Sequence, residues 1–218
     1  MRRRLVRSLQ VERNRQLVLE AARRVFLATG YEGSSLEAIA EEAGFSKGVV
    51  YSQFDSKADL FLALLERRIS ERAEQNERIA TESGGAANVT ALVRLAMRSF
   101  LEEPRWALLV AEFRVQAARD ASLNSRYAKV HARTVERLAQ VLAGVHKRAG
   151  LSPAVPTNTM AEFVLALGFG VEIERLANPD ALPLERLAPM LARALGTRPV
   201  EKDRSPEANG RARAGRKR

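Results

Sequence analysis

Between Ser34 and Phe54 the chain sets two short helical segments on either side of a glycine, and this arrangement constrains the fold more than any other stretch. Leu36, Ile39, Ala40 and Ala43 recur at helical spacing. Ser34 with Glu37 three residues on has the pattern of a capping box, in which hydroxyl and carboxylate satisfy each other's amides. Gly44 ends that helix. Phe45-Ser46 then places a hydrophobic residue ahead of an N-cap, and Val50 is positioned to staple back onto Phe45. The helix that follows is about two turns long, carries a glycine at 48 and turns Val49 away from the inner face formed by Val50 and Phe54. Glycine inside a helix costs about 1 kcal/mol relative to alanine, so Gly48 weakens the element in a free monomer. Two short helices joined by a tight turn form a helix-turn-helix pattern; a surface turn with an incidental valine is the alternative that spacing leaves open.

The outer face of the second helix has the chemistry of a major-groove reader. Val49 can pack on a thymine methyl, Lys47 can reach guanine O6/N7 or a phosphate, Tyr51 and Gln53 can donate to phosphates, and Gly48 lets the backbone come close. Charge points the same way. The formal net charge of +10 is concentrated at the ends, +6 over residues 1–24 and +5 over 197–218, leaving −1 between them. A basic end beside a folded domain suits a polyanion, because each neutralised phosphate releases counterions; a solubilising tail is the plainer reading.

Helical periodicity runs through the rest. Val18, Ala21, Ala22, Val25 and Phe26 form one face of a first helix that stops at Gly30. Ser56 caps a fourth helix expected to reach about Glu82. Further helices are expected over Asn88–Glu102, Pro104–Arg119, Ser122–Ala149, Thr157–Ala177 and Leu184–Leu195, with prolines between them. No run alternates as a strand does, so the expected fold is all-α with about nine helices. With no cysteine there is no disulfide framework or thiolate site. No apolar run approaches a bilayer span and no secretory leader is evident, so a cytosolic location is expected.

Gly30-Tyr31-Glu32-Gly33-Ser34-Ser35-Leu36 through Phe54, followed by Ser56-Lys57-Ala58-Asp59-Leu60, resembles the DNA-binding signature of TetR-type transcriptional regulators. The resemblance covers residues 15 to about 62. Ser34 stands where threonine is usual and Gln53 where histidine is common, and both keep hydrogen-bonding capacity. Charge and composition mark a basic arm at 1–14 and a basic, disordered tail at 197–218; the resemblance implies a three-helix DNA-binding domain at 15–55 and a helical ligand-binding and dimerisation domain at 56–196. It further implies a homodimer on a near-palindromic double-stranded operator. Ser34, Ser35, Tyr51, Gln53 and Lys57 would be phosphate anchors, with Lys47, Gly48 and Val49 near base edges and Ser46 and Ser52 on the same surface. Repression relieved by a small, largely apolar effector is the family default, with an activator or an effector-free regulator as the alternative.

Beyond residue 62 only the pattern guides the reading. In Thr157–Ala177 one stripe holds Met160, Phe163, Val164, Leu167 and Val171, and a second holds Ala161, Leu165, Phe169 and Ile173. A helix apolar on two sides is buried on two sides. With the neighbouring stripe of Leu184, Leu187, Ala188, Leu191 and Leu195, helices 157–177 and 184–195 are expected to pair across a two-fold axis, Gly168 allowing close approach. Phe61, Leu65, Met97, Phe100, Trp106, Phe113, Tyr127 and Phe163 are candidates to line an effector cavity, with Arg114, Gln116 and His131 as polar contacts. Catalysis finds little support. No Gly-x-Ser-x-Gly elbow occurs, Gly168-Phe169-Gly170 does not follow a strand, and neither His131 nor His146 has a glutamate three residues before it. No metal or cofactor is expected.

Overall fold

The computed structural model describes residues 2–82, 104–194 and 197–199. Eight helices lie among them: α1 (Arg2–Thr29), α2 (Leu36–Glu42), α3 (Lys47–Tyr51), α4 (Lys57–Glu82), α5 (Pro104–Arg119), α6 (Ala121–Ala149), α7 (Thr157–Ala177) and α8 (Leu184–Ala194). The helix expected over 88–102 falls outside the described residues. Two short strands, β1 (Leu151–Pro153) and β2 (Thr197–Pro199), pair antiparallel with Leu151 opposite Pro199. The expected tail therefore opens with three residues that hydrogen-bond back to the α6–α7 connection. Among the described residues no helix is long and apolar enough to cross a membrane, and no acidic, His or Cys cluster could hold a metal ion.

The arm and the first helix are one element. Residues 2–29 contain neither proline nor glycine, so nothing interrupts helix propagation, and Gln10–Asn14 and Glu12–Gln16 side-chain hydrogen bonds support successive turns of the exposed part. Val18, Ala21, Ala22 and Phe26 are fully buried. Gly30, at φ +75°, ends the helix in the left-handed conformation that glycine adopts without steric cost.

The cap of α2 is displaced by one residue from the sequence expectation. Ser35, not Ser34, is the N-cap, its Oγ accepting the Ala38 N–H at 3.1 Å. Gly44, at φ +71°, closes α2: its N–H donates to Glu41 O, and the Phe45 N–H donates to Ala40 O. That pair of bonds satisfies the last carbonyls and turns the chain sharply into α3. Val50 and Phe54 are buried as their spacing requires, and Phe45 packs against the same core.

The main core runs without a break from α1 to α6. Phe26 meets Phe61 at 5.3 Å between ring centroids, Phe61 meets Phe113 at 4.4 Å and Trp106 at 6.2 Å, and Phe113 meets Tyr127 at 5.8 Å. A second cluster joins Val135, Ala139 and Leu142 of α6 to Met160, Ala161, Val164 and Val171 of α7 and to Leu187 and Leu191 of α8. Arg126, Arg133 and Arg137 of α6 reach Asp59, Glu66 and Ser70 of α4 respectively. These bonds, spaced along both helices, fix α6 lengthwise along α4.

Candidate nucleic-acid interface and ligand cavity

α3 is held from behind and left bare in front. Arg15 of α1 lies 4.5 Å from the Phe54 ring centroid, while Ser46, Lys47, Gly48, Tyr51 and Ser52 are exposed. A methyl group built on Gly48 would meet nothing closer than Ser46 Oγ at 3.9 Å. The fold itself therefore gives no reason for glycine there. Ser46 begins the helix without a side-chain cap bond, so its hydroxyl remains available. Ser35 Oγ accepts from Ala38 at 3.1 Å, and its hydroxyl also acts on the Glu37 carboxyl. Ser52 Oγ donates to Val49 O at 2.8 Å.

Glu37, assigned by sequence to the cap, belongs to this surface instead. Its Oε1 accepts the Tyr51 hydroxyl at 3.0 Å and lies 3.8 Å from Lys47 Nζ. Its own backbone N–H first, and then the Tyr51 hydroxyl, hold this carboxyl below the usual range. Lys47 and Tyr51, both exposed on α3, are thus oriented by one acidic residue of α2.

Three of the expected phosphate anchors are turned inward. Ser34 is buried and its Oγ donates to Tyr31 O at 2.7 Å. Lys57 Nζ donates to Tyr31 O at 2.7 Å, Ser34 O at 2.9 Å and Glu32 O at 3.3 Å, and sits 4.6 Å from the Tyr31 ring centroid. An ammonium has three donors, so this one is fully engaged in closing the α1–α2 turn. Gln53 is half-buried, its Nε2 donating to Val49 O at 3.4 Å while Oε1 is buried without a partner. Motif spacing places all three correctly along the chain; it does not tell which way each points.

A cavity of about 250 Å³ lies among α4, α5, α6 and α7. Of the residues expected in it, Leu65, Trp106, Arg114, Tyr127 and His131 line its wall. Phe61 and Phe113 do not: both are wholly buried beneath it in the aromatic core. Phe163 is 45% exposed on the outer side of α7. Gln116 does not line the wall either, and Met97 and Phe100 fall outside the described residues. Sequence reading missed Arg68, Arg72, Arg137, Leu165, Phe169 and Glu172. Burial lowers the His131 pKa and the nearby Arg114 guanidinium lowers it further, so the ring is neutral at physiological pH. Burial above all raises Glu172.

The outward face of α7 also differs from expectation. Ala161 and Gly168 are buried against the chain's own core, and Phe169 sits under Arg114, 4.9 Å from its guanidinium carbon. The exposed apolar positions are Phe163, Ala166, Gly170, Ile173, Leu176 and Ala177, of which Ala166 also borders the cavity. A methyl group on Gly170 would meet nothing within 4 Å. On α8, Leu187 and Leu191 are used up in the second core cluster, while Met190 is 64% exposed.

Residues 18–64 match the family model of bacterial regulatory proteins of the tetR family, and residues 85–198 match that of the C-terminal domain of BetI-type transcriptional repressors. The HTH-type transcriptional regulator YfiR of Bacillus subtilis is 26% identical over 155 residues, 71% of this chain and 76% of that protein. The HTH-type transcriptional repressor AcnR of Corynebacterium glutamicum is 32% identical over 117 residues, 52% of this chain and 56% of that one. In fold, the chain resembles the regulator FadR of Bacillus subtilis, solved in complex with stearoyl-CoA, with a TM-score of 0.63 at 17% identity over 83% of this chain and 96% of the other.

Proposed function

The chain belongs to the tetR family of bacterial regulatory proteins and is a DNA-binding transcriptional regulator; from that premise we propose that it acts as a repressor, binding a near-palindromic operator as a homodimer and leaving it when a small, largely apolar effector enters the cavity. The observation that carries the DNA-binding mode is the front of α3. Lys47 and Tyr51 flank a glycine for which the protein has no internal use, on a helix fixed from behind by Val50, Phe54 and Arg15. Such a face is completed by a close-fitting groove. The sign of regulation rests on the match to a repressor C-terminal domain and on the repressor among the relatives.

Coupling has a physical route. Trp106 and Tyr127, on the cavity wall, stack into the rings that reach Phe26 and Tyr31 of the α1–α2 region. Two residues before Arg114 on α5, Glu112 Oε2 accepts the Tyr31 N–H at 2.7 Å. A displacement of α5 by a ligand is therefore felt at the turn that positions α2 and α3. Two recognition helices must sit about 34–36 Å apart to read successive turns of one DNA face, so a change in that setting opposes operator binding, and the antagonism is reciprocal.

Replacing Lys47 and Tyr51 together by alanine tests the interface. The folded double variant, checked by circular dichroism, is expected to lose on the order of 10-fold or more in operator affinity in mobility-shift titrations against the DNA flanking its gene. Unchanged affinity would remove α3 from the interface.

A further inference from the structure

The polar groups on the cavity wall divide by whether their bonding is already used. Arg137 donates to Ser70 Oγ at 2.7 Å and Thr134 to Val130 O at 3.1 Å. Arg68 lies over the Trp106 ring at 4.6 Å, and both it and Arg72 have partners. Glu162 is exposed at the rim. Arg114 is different. Its guanidinium contacts ring faces, Phe169 at 4.9 Å and Tyr127 at 5.7 Å, and among the described residues it makes no ion pair or side-chain hydrogen bond. Glu172 is different too: it is 2% exposed, yet Oε1 has no hydrogen-bond partner.

A guanidinium and a buried carboxyl thus line one cavity without pairing with each other. Burial pushes the Glu172 carboxyl toward its neutral form, which an incoming ammonium would reverse, while the half-buried Arg114 guanidinium meets only ring faces. Phe169 lies beneath Arg114 and one turn before Glu172 on α7, and residues three apart on a helix share a face. The two heads thus flank one aromatic surface, with Leu165 and Val110 as further apolar wall.

From this arrangement we infer that the effector is a small amphiphilic amino acid, whose carboxylate is held by Arg114 and whose ammonium is held by Glu172 while its apolar skeleton lies on Phe169. The inference deepens the reading of this cavity as the effector site and rests on it. A purely anionic ligand would leave Glu172 unpaired, a purely cationic one would leave Arg114 unpaired, and a neutral apolar one would leave both. Charge-assisted hydrogen bonds at each end are the stronger kind. Arg175, on the same helix, acts on Glu172 only at the level of its field, its Nε donating to Pro179 O.

Trp106 is the chain's single tryptophan and lies on the cavity wall, so its fluorescence reports occupancy directly. The probes are 2-, 4-, 6- and 8-aminooctanoate, which vary the separation of the two charges at constant composition, against octanoate and octylamine. At least one aminooctanoate is expected to bind saturably and about 10-fold or more tighter than either single-headed probe. Glu172→Gln should abolish its advantage over octanoate, and Arg114→Leu its advantage over octylamine, in variants whose melting curves confirm folding. Octanoate or octylamine binding as tightly as the best amino acid would overturn the inference. So would a Glu172→Gln variant that keeps the preference, or the absence of any response to the aminooctanoates. Mobility shifts on the same preparations separate the two levels: retained operator binding with no amino-acid response sinks the ligand class alone, whereas absent operator binding sinks the regulator reading.

Discussion

Gly48 and Gly30 show how one residue type serves opposite purposes a short distance apart. At Gly30 the backbone is left-handed, and a Cβ would stand 2.8 Å from the Glu112 carboxylate, so the fold requires glycine. At Gly48 the site is open and the backbone is ordinary α-helix. Gly48→Ala is therefore expected to raise the stability of the free protein by up to about 1 kcal/mol in thermal unfolding while weakening operator binding in mobility shifts. A variant stabilised with undiminished affinity would show that the backbone does not approach DNA closely there. Side-chain direction is the part of this scale that spacing does not reveal. Ser34 and Ser35 are neighbours of identical chemistry, yet Ser35 caps α2 from the surface and Ser34 is buried. Lys57 reads as a phosphate anchor until its ammonium is seen against the carbonyls of the α1–α2 turn. Those carbonyls are brought to it by a turn 23 to 26 residues earlier in the chain, which no local pattern encodes.

At the scale of elements, α7 carries two apolar stripes, and the structure decides which of their positions are covered. Met160, Ala161, Val164, Gly168 and Val171 are buried, leaving Phe163, Gly170, Ile173, Leu176 and Ala177 outward. Gly170, where an added methyl group would meet nothing within 4 Å, and Ala177 leave room on this face for the helix pairing of the proposed homodimer. Phe163 and Ile173 lie outside the cavity wall, so replacing both with aspartate tests the interface without touching the ligand site. Sedimentation velocity is expected to show a monomer for the double variant and a dimer for the parent, with operator affinity falling because only a dimer engages both half-sites. A double variant that remains dimeric would move the interface off this face. The buried and bare sides cut across both stripes read from the sequence, Phe163 of the first and Ile173 of the second lying exposed while Ala161 of the second is buried, because neighbours far away in the chain decide which positions are covered. α1 makes a related point. Composition separates the basic arm from the first helix, but with no breaker before Gly30 the arm propagates as helix from Arg2.

For the whole molecule, a basic excess at both ends predicts a salt-dependent operator affinity. Residues 200–218 hold seven Lys and Arg against three acids, and ending the chain at Pro199 preserves the β1–β2 pair. If the segment contacts DNA, its removal should make the slope of log affinity against log salt shallower by about 0.9 for each phosphate it neutralises. Identical slopes would show that it contributes nothing. The helical framework, the turn at Gly44, the inner face of α3 and the identity of several cavity residues follow from sequence alone, because they rest on local rules: helical periodicity, capping, and the few conformations open at glycine and proline; the short β1–β2 pair does not. Which serine faces outward, which lysine is engaged, which positions of α7 stay bare, and the meeting of Arg114 and Glu172 at one cavity are decided only by the packed fold. Those outcomes depend on groups far apart in the chain being brought together, and the competition among them for space and hydrogen bonds exists only once α1, α4, α5, α6 and α7 have met.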